Sequence, residues 1–149
     1  MSKSDQKQDA RRARQLPVLV VVDDDPPALE RITATLTDRY GSHYAITPFN
    51  SASRALEAVR GFTKLGIDVA LVLADQTLPQ MDGRNLLYEV GEIQPLAKRA
   101  LLIRWGDWGD PDIAAAIHTD MARDDFDYYV MKPTSEPDEQ FHRTHRVSL

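Results

Sequence analysis

Past residue 16, short apolar runs alternate with helical patterns about five times along the chain. Val18-Leu19-Val20-Val21-Val22 is apolar throughout and largely β-branched, the pattern of a strand covered on both faces. Val69 to Ala74 repeats that pattern, and Ala100 to Ile103 and Phe126 to Met131 are further strand candidates. His43 to Thr47 is more polar, which predicts a strand nearer an edge. Between these runs apolar residues recur at helical spacing. The first set is Leu29, Ile32, Leu36 and Tyr40, and the second is Ala52, Ala55, Leu56 and Val59. The third is Leu86, Val90 and Ile93, and the fourth, after Pro111, is Ile113, Ala116, Ile117 and Met121. Boundary residues agree. Asp25 before Pro26 and Ser51 before Ala52 predict helix starts, and Gly41, Gly61 and Pro95 predict helix ends. Strand–helix alternation of this kind predicts an α/β fold, a doubly wound parallel sheet of five strands. Right-handed crossovers then place the carboxyl ends of the strands along one edge.

The chain has 149 residues, about one domain. We expect a basic flexible leader over 1–16, a domain core over 17–133 and a C-terminal helix or linker over 134–149. The net charge of −5 is uneven. Five basic and two acidic side chains give residues 1–16 a charge of +3, which leaves −8 for the remainder. Such a surface offers no footprint for nucleic acid. There are no cysteines, which excludes disulfides, thiolate metal sites and thiol catalysis and fits a reducing compartment. No apolar stretch approaches the ~20 residues that cross a bilayer. We therefore expect a cytoplasmic protein without membrane contact.

The chemistry lies at three strand ends. Asp23-Asp24-Asp25 follows the first strand, Asp75 ends the third, and Lys132-Pro133 follows the fifth. Carboxylates converging in one crevice repel each other unless a cation is present. Hard oxygen donors with few protein contacts suit Mg²⁺, which favours sites that also hold a phosphoryl group. A lysine opposite them neutralises phosphoryl oxygens. Asp75, on the central strand and leading into a turn, is the best-placed nucleophile for an acyl phosphate.

Three motifs in this order carry a resemblance. They are Val21-Val22-Asp23-Asp24-Asp25-Pro26, Asp75-Gln76-Thr77-Leu78-Pro79-Gln80-Met81-Asp82-Gly83 and Tyr129-Val130-Met131-Lys132-Pro133. Over about residues 17–133 the chain resembles the receiver domains of two-component response regulators, which implies a flavodoxin-like (βα)₅ fold. The resemblance implies that Asp75 is the phosphoacceptor and that Asp24, Asp75 and the Thr77 backbone carbonyl ligate Mg²⁺, with Asp23 acting through water. It also implies that Lys132 clamps the phosphoryl group, that Tyr129 is a rotating aromatic and that the Lys132–Pro133 bond resembles one usually cis. Two positions depart from the family. Ile103 stands where a Thr or Ser hydroxyl would bind the phosphoryl group, and Arg104 stands where a small residue is usual. Spacings are slightly long, with 51 residues from Asp24 to Asp75 and 57 from Asp75 to Lys132.

The expectation is a receiver that accepts phosphate on Asp75 from a sensor histidine kinase in a phosphorelay. It would assist its own phosphorylation without being a turnover enzyme. Output would pass to a fused domain or partner protein through the face of the fourth predicted helix and fifth strand, with homodimerisation a further expectation. The alternative is a pseudo-receiver, an interaction module in which Arg104 fills the phosphoryl position. A haloacid-dehalogenase-like reading of Asp23-Asp24-Asp25 fits poorly, because Pro26-Pro27 follows it. The stretch from Arg99 to Pro133 also resembles receivers fused ahead of thioredoxin-reductase-like flavoproteins. Asp82-Gly83 reads as turn and cap, the four histidines as solvated, and Trp105 and Trp108 as a docking patch on a Gly-rich loop.

Overall fold

The computed structural model describes Ser2, Lys3 and residues 15–132, with the side chains of Trp105 and Asp107 excepted. The expectations for most of the leader, for 134–149, for His142 and His145 and for the Lys132–Pro133 bond lie outside the described residues. The elements are β1 (Val18–Val22), α1 (Pro26–Tyr40), β2 (Ala45–Phe49), α2 (Ala52–Lys64) and β3 (Val69–Asp75). There follow α3 (Gly83–Ile93), β4 (Lys98–Ile103), a single turn α4 (Trp105–Trp108), α5 (Pro111–Ala122) and β5 (Tyr128–Met131). The five strands form one sheet in the order β2-β1-β3-β4-β5, every pair parallel. This is the predicted α/β, flavodoxin-like architecture.

Strand alternation sends successive side chains to opposite faces and so builds two cores. On one face Val20 and Val22, Val72 and Ala74, and Leu101 and Ile103 pack under α2, α3 and α5. On the other, Leu19 and Val21, Leu71 and Leu73, and Leu102 and Val130 pack with Ile32 and Leu36 of α1. β1 is fully buried, as its continuous apolar run requires. β2 sits at an edge, and its exposed Pro48 is tolerated there because β2 pairs on one side only.

Several boundaries move. β2 begins at Ala45 rather than His43 and runs through Pro48, since edge position removes the objection to proline. α2 continues past Gly61 to Lys64, because a Cβ at Gly61 would meet nothing and nothing forces a turn there. β5 starts at Tyr128, although Phe126 is buried ahead of it. Ser51 caps α2 as expected, accepting from the Arg54 amide at 3.3 Å. Asp25 holds the N-cap position of α1, but its carboxylate makes no capping bond. The turn α4 was not foreseen.

The crevice at the carboxyl ends of β1 and β3 is the switch point, where successive crossovers leave in opposite directions along the sheet. Asp23, Asp75 and Lys132 all belong to that rim.

Candidate functional site

Asp23 lies immediately beyond β1 and is wholly buried, anchored by its amide donating to the Phe49 carbonyl at 3.1 Å. Its Oδ1 accepts from the Asp25 amide at 3.0 Å, an Asx-type turn that fixes the carboxylate. Asp24, between them, is exposed. Asp75 ends β3 and is 2% exposed. The Thr77 amide donates to Asp75 Oδ1 at 3.2 Å, so the exposed Thr77 caps the acidic side chain through its backbone. One ligand oxygen each from Asp23, Asp24 and Asp75 falls within 4.8 Å of the others.

Lys132 completes the rim. Its Nζ donates to Asp75 Oδ2 at 2.8 Å and stands 2.9 Å from Asp23 Oδ2. That second contact is ionic but poorly directed, because Asp23 Oδ2 is buried and lacks a hydrogen-bond partner. Burial pushes the Asp75 carboxyl above its ordinary 3.8, opposed by the Lys132 hydrogen bond and reinforced by the Asp23 charge. Burial would lower the Lys132 ammonium, but the hydrogen bond to Asp75 and the ionic contact with Asp23 hold it above 10.5. Burial sets the direction at Asp75, and the two carboxylates together set it at Lys132. One ammonium faces two buried carboxylates, so the lysine is strongly held while Asp75 remains under-compensated.

Counting Asp24, three carboxylates against one ammonium leave two negative charges. The donors are hard oxygens, and a buried Asp23 oxygen awaits a directed partner. This set fits a divalent cation such as Mg²⁺.

The loop from β3 to α3 is held tightly. The Gly83 amide donates to the Gln76 carbonyl at 3.0 Å, and the Gln76 amide donates to the Leu102 carbonyl at 2.9 Å. A Cβ on Gly83 would overlap the Asp75 carbonyl oxygen, so only glycine lets α3 start this close to the acidic residue. Reading Asp82-Gly83 as turn and cap is half right: Asp82 occupies the N-cap without a side-chain bond. Gln80 takes φ 71° to close the turn.

Ile103 is wholly buried among apolar residues at the end of β4, so its place in the fold is a core position. Arg104 is exposed. Tyr129 is exposed at 38% and stacks on Trp108, with ring centroids 5.1 Å apart and planes 20° from parallel. Trp108 also meets His118 at 5.4 Å and packs against the core. The docking reading is therefore corrected for Trp108, a half-buried packing residue that meets Tyr129. The sequence carried no sign of this stack, since 21 positions separate the two rings. It also hid the part-buried Arg84–Asp120 pair at 2.5 Å, which ties the first turn of α3 to α5. The buried Gln76, whose Oε1 has no partner, was not singled out either.

No family model and no curated protein matches the chain. Solved structures do match. The signal receiver domain of an HD domain-containing protein from Pseudomonas fluorescens is 28% identical, covering 80% of this chain and 84% of its own, with a TM-score of 0.61. An uncharacterized protein from Neptuniibacter caesariensis is also 28% identical, covering 85% and 82%, with a TM-score of 0.66. A response regulator from Burkholderia pseudomallei, determined with a phosphorylated aspartic acid, a calcium ion and citrate, is 22% identical. It covers 80% of this chain and 61% of its own, with a TM-score of 0.56. Fold and site together define the class: the chain is similar to response regulator receiver domains.

Among the described residues, no helix is long and apolar enough to cross a membrane.

Proposed function

We propose that this chain is a phosphoacceptor receiver in which Asp75 takes a phosphoryl group from a histidine kinase. The observation that carries the reading is Lys132 Nζ held between the Asp75 and Asp23 carboxylates at 2.8 and 2.9 Å. That contact puts an ammonium beside the nucleophile, where phosphoryl charge would appear.

Asp23, Asp24, Asp75 and the Thr77 carbonyl are the residues that would hold Mg²⁺. When bound, the ion supplies charge neutralisation for the phosphoryl oxygens. The protein's own part is alignment. A carboxylate oxygen of Asp75 forms the new bond to phosphorus while the bond from phosphorus to the donor nitrogen breaks, and the nitrogen keeps that electron pair. The Thr77 amide on Oδ1 orients the carboxylate, leaving Oδ2 and its lysine on the other side. Lys132 follows the charge from Asp75 to the transferred group. Under this reading the protein assists its own modification and does not turn over, and its partners are the kinase and an output domain or protein.

Incubation with acetyl phosphate and Mg²⁺, followed by intact mass measurement, tests the proposal. One phosphoryl adduct is expected on the natural chain and none on Asp75→Asn. An unmodified natural chain, under conditions that label an ordinary receiver, would refute it.

One observation favours the second reading, a pseudo-receiver acting as an interaction module. Ile103 buries a purely apolar side chain where the family's phosphate-sensing hydroxyl would be. A Mg²⁺ titration followed by tryptophan fluorescence separates the two, since a pseudo-receiver shows no response.

A further inference from the structure

The ends of β1, β3 and β5 each bring a charged side chain to the crevice, and β4 lies between β3 and β5. Asp75 pairs in register with Leu102, so Ile103 falls on the opposite face, where it joins the core under α2, α3 and α5. The residue after it returns to the face of Leu102 and Asp75. That residue is Arg104. Its backbone is set on both sides. The Lys132 amide donates to the Ile103 carbonyl at 2.7 Å, and the Arg104 carbonyl accepts from the Trp108 amide at 3.1 Å. Continuing the Ile103–Met131 register by one residue puts Arg104 level with Lys132. Lys132 reaches across β4 to bring its Nζ within 2.8 Å of Asp75 Oδ2. Arg104 starts one strand nearer to β3, about 4.8 Å, and its side chain is slightly longer, so the same place lies within its reach. Arg104 is exposed while Asp23 and Asp75 are buried. A guanidinium there approaches from the solvent side, where a phosphoryl group would arrive.

The charges of a loaded site call for a further cation. Asp75 loses its own charge on taking a phosphoryl group, whose oxygens bring about two in its place. With Asp23 and Asp24 the loaded site then carries about four negative charges. A divalent cation and Lys132 supply three positive ones, and one more makes the site neutral. We propose that Arg104 is that cation, a phosphoryl-binding residue that puts a guanidinium at the end of β4 where a neutral hydroxyl would leave the charge uncompensated. A guanidinium forks two N–H donors onto phosphoryl oxygens and stays charged at any working pH. In the unmodified chain Lys132 already bridges Asp23 and Asp75, so Arg104 gains its contact when the phosphoryl oxygens appear. The ligand is thus a dianionic phosphoryl group, and the inference rests on the phosphoacceptor reading. An arginine that plugged the site would act in the opposite direction, repelling the divalent ion and slowing modification.

The natural full chain, Arg104→Gln and Arg104→Lys are treated with acetyl phosphate and Mg²⁺, and adduct formation is followed by intact mass. A charge-assisted contact with the phosphoryl group is worth about tenfold or more. Arg104→Gln should therefore gain the adduct about tenfold more slowly than the natural chain, with Arg104→Lys between them. The phosphorus resonance of the adduct should move in Arg104→Gln and return part of the way in Arg104→Lys. Calorimetry without a phosphoryl donor should find Mg²⁺ bound no more weakly by Arg104→Gln, since the contact belongs to the loaded site; weaker binding would make Arg104 a structural support and overturn the inference. Where the natural chain takes the adduct, equal or faster modification of Arg104→Gln overturns the inference and leaves the phosphoacceptor reading standing. Arg104→Lys as slow as Arg104→Gln does the same, because charge is then not what acts. A natural chain with no adduct removes both.

Discussion

Lys132→Met removes the ammonium and keeps much of the side-chain volume, so it isolates the electrostatic part of the site. Asp23 is 0% exposed and Asp75 2%, which leaves water little access to either carboxylate once the lysine is gone. Their oxygens lie within 4.8 Å, and two unit charges at that separation repel by about 3.5 kcal/mol at an effective dielectric of ~20. That agrees with the ~3–5 kcal/mol lost when one partner of a buried ion pair is deleted. A loss of about 3–4 kcal/mol is a large share of the ~5–15 kcal/mol by which domains are stable. Urea unfolding at pH 7 without divalent cations should show it as a lowered midpoint with an unchanged slope.

Two rescues check the cause. The Asp75 carboxyl is raised above 3.8 in the folded chain, so the folded form binds its proton more readily than the unfolded one. Relative stability is thus greatest below 3.8 and falls as pH rises through the folded value. Without Lys132, which lowers that value, the window extends to higher pH, and acidification from pH 7 to 5 should narrow the gap between variant and parent. Mg²⁺ should narrow it too, because the variant's carboxylates have no competing ammonium and bind the ion more tightly; each tenfold gain in affinity over the parent closes the gap by about 1.4 kcal/mol at saturating ion. A loss below ~1 kcal/mol, or a gap indifferent to both pH and Mg²⁺, would show that the two carboxylates are not held in mutual repulsion and would refute the charge argument.

Two other perturbations test the frame around the site. Gly83→Ala forces a methyl into the Asp75 carbonyl, and overpacking of this kind costs about 1–3 kcal/mol. It should also weaken Mg²⁺ binding by displacing the loop, and isothermal calorimetry with thermal melts reads both effects; unchanged affinity would mean the loop does not set the site. Ile103→Thr buries a hydroxyl among Leu101, Met131 and their neighbours, at a cost of about 1–3 kcal/mol in the unmodified chain. If the missing hydroxyl limits phosphoryl binding, the same change should raise the adduct yield with acetyl phosphate and Mg²⁺ seen by intact mass, and an unaltered yield would exclude that role.

Much of the fold is legible because strand and helix periods differ. Val18 to Val22 and Val69 to Ala74 are too uniformly apolar for anything but buried parallel strands, and both form. The acidic pair, Asp75 and Lys132 were legible for the same reason, since a parallel sheet sends every strand end to one rim. Less legible were features that depend on neighbours distant in sequence. Pro48 inside a strand is acceptable only because β2 lies at an edge, and edge position comes from strand order. Trp108 looked like a loop anchor until Tyr129 was placed beside it. Arg84 gave no hint of Asp120, 36 positions away.

By itself the sequence determined which side chains would reach the rim, because alternation and strand ends are local consequences of backbone geometry. Only the tertiary structure decided how those side chains meet. Lys132 bridges Asp75 and Asp23 while Asp24 stays in water, and Gly83 presses α3 onto the Asp75 carbonyl. Such distances depend on strand register and packing, which arise from contacts between segments far apart along the chain.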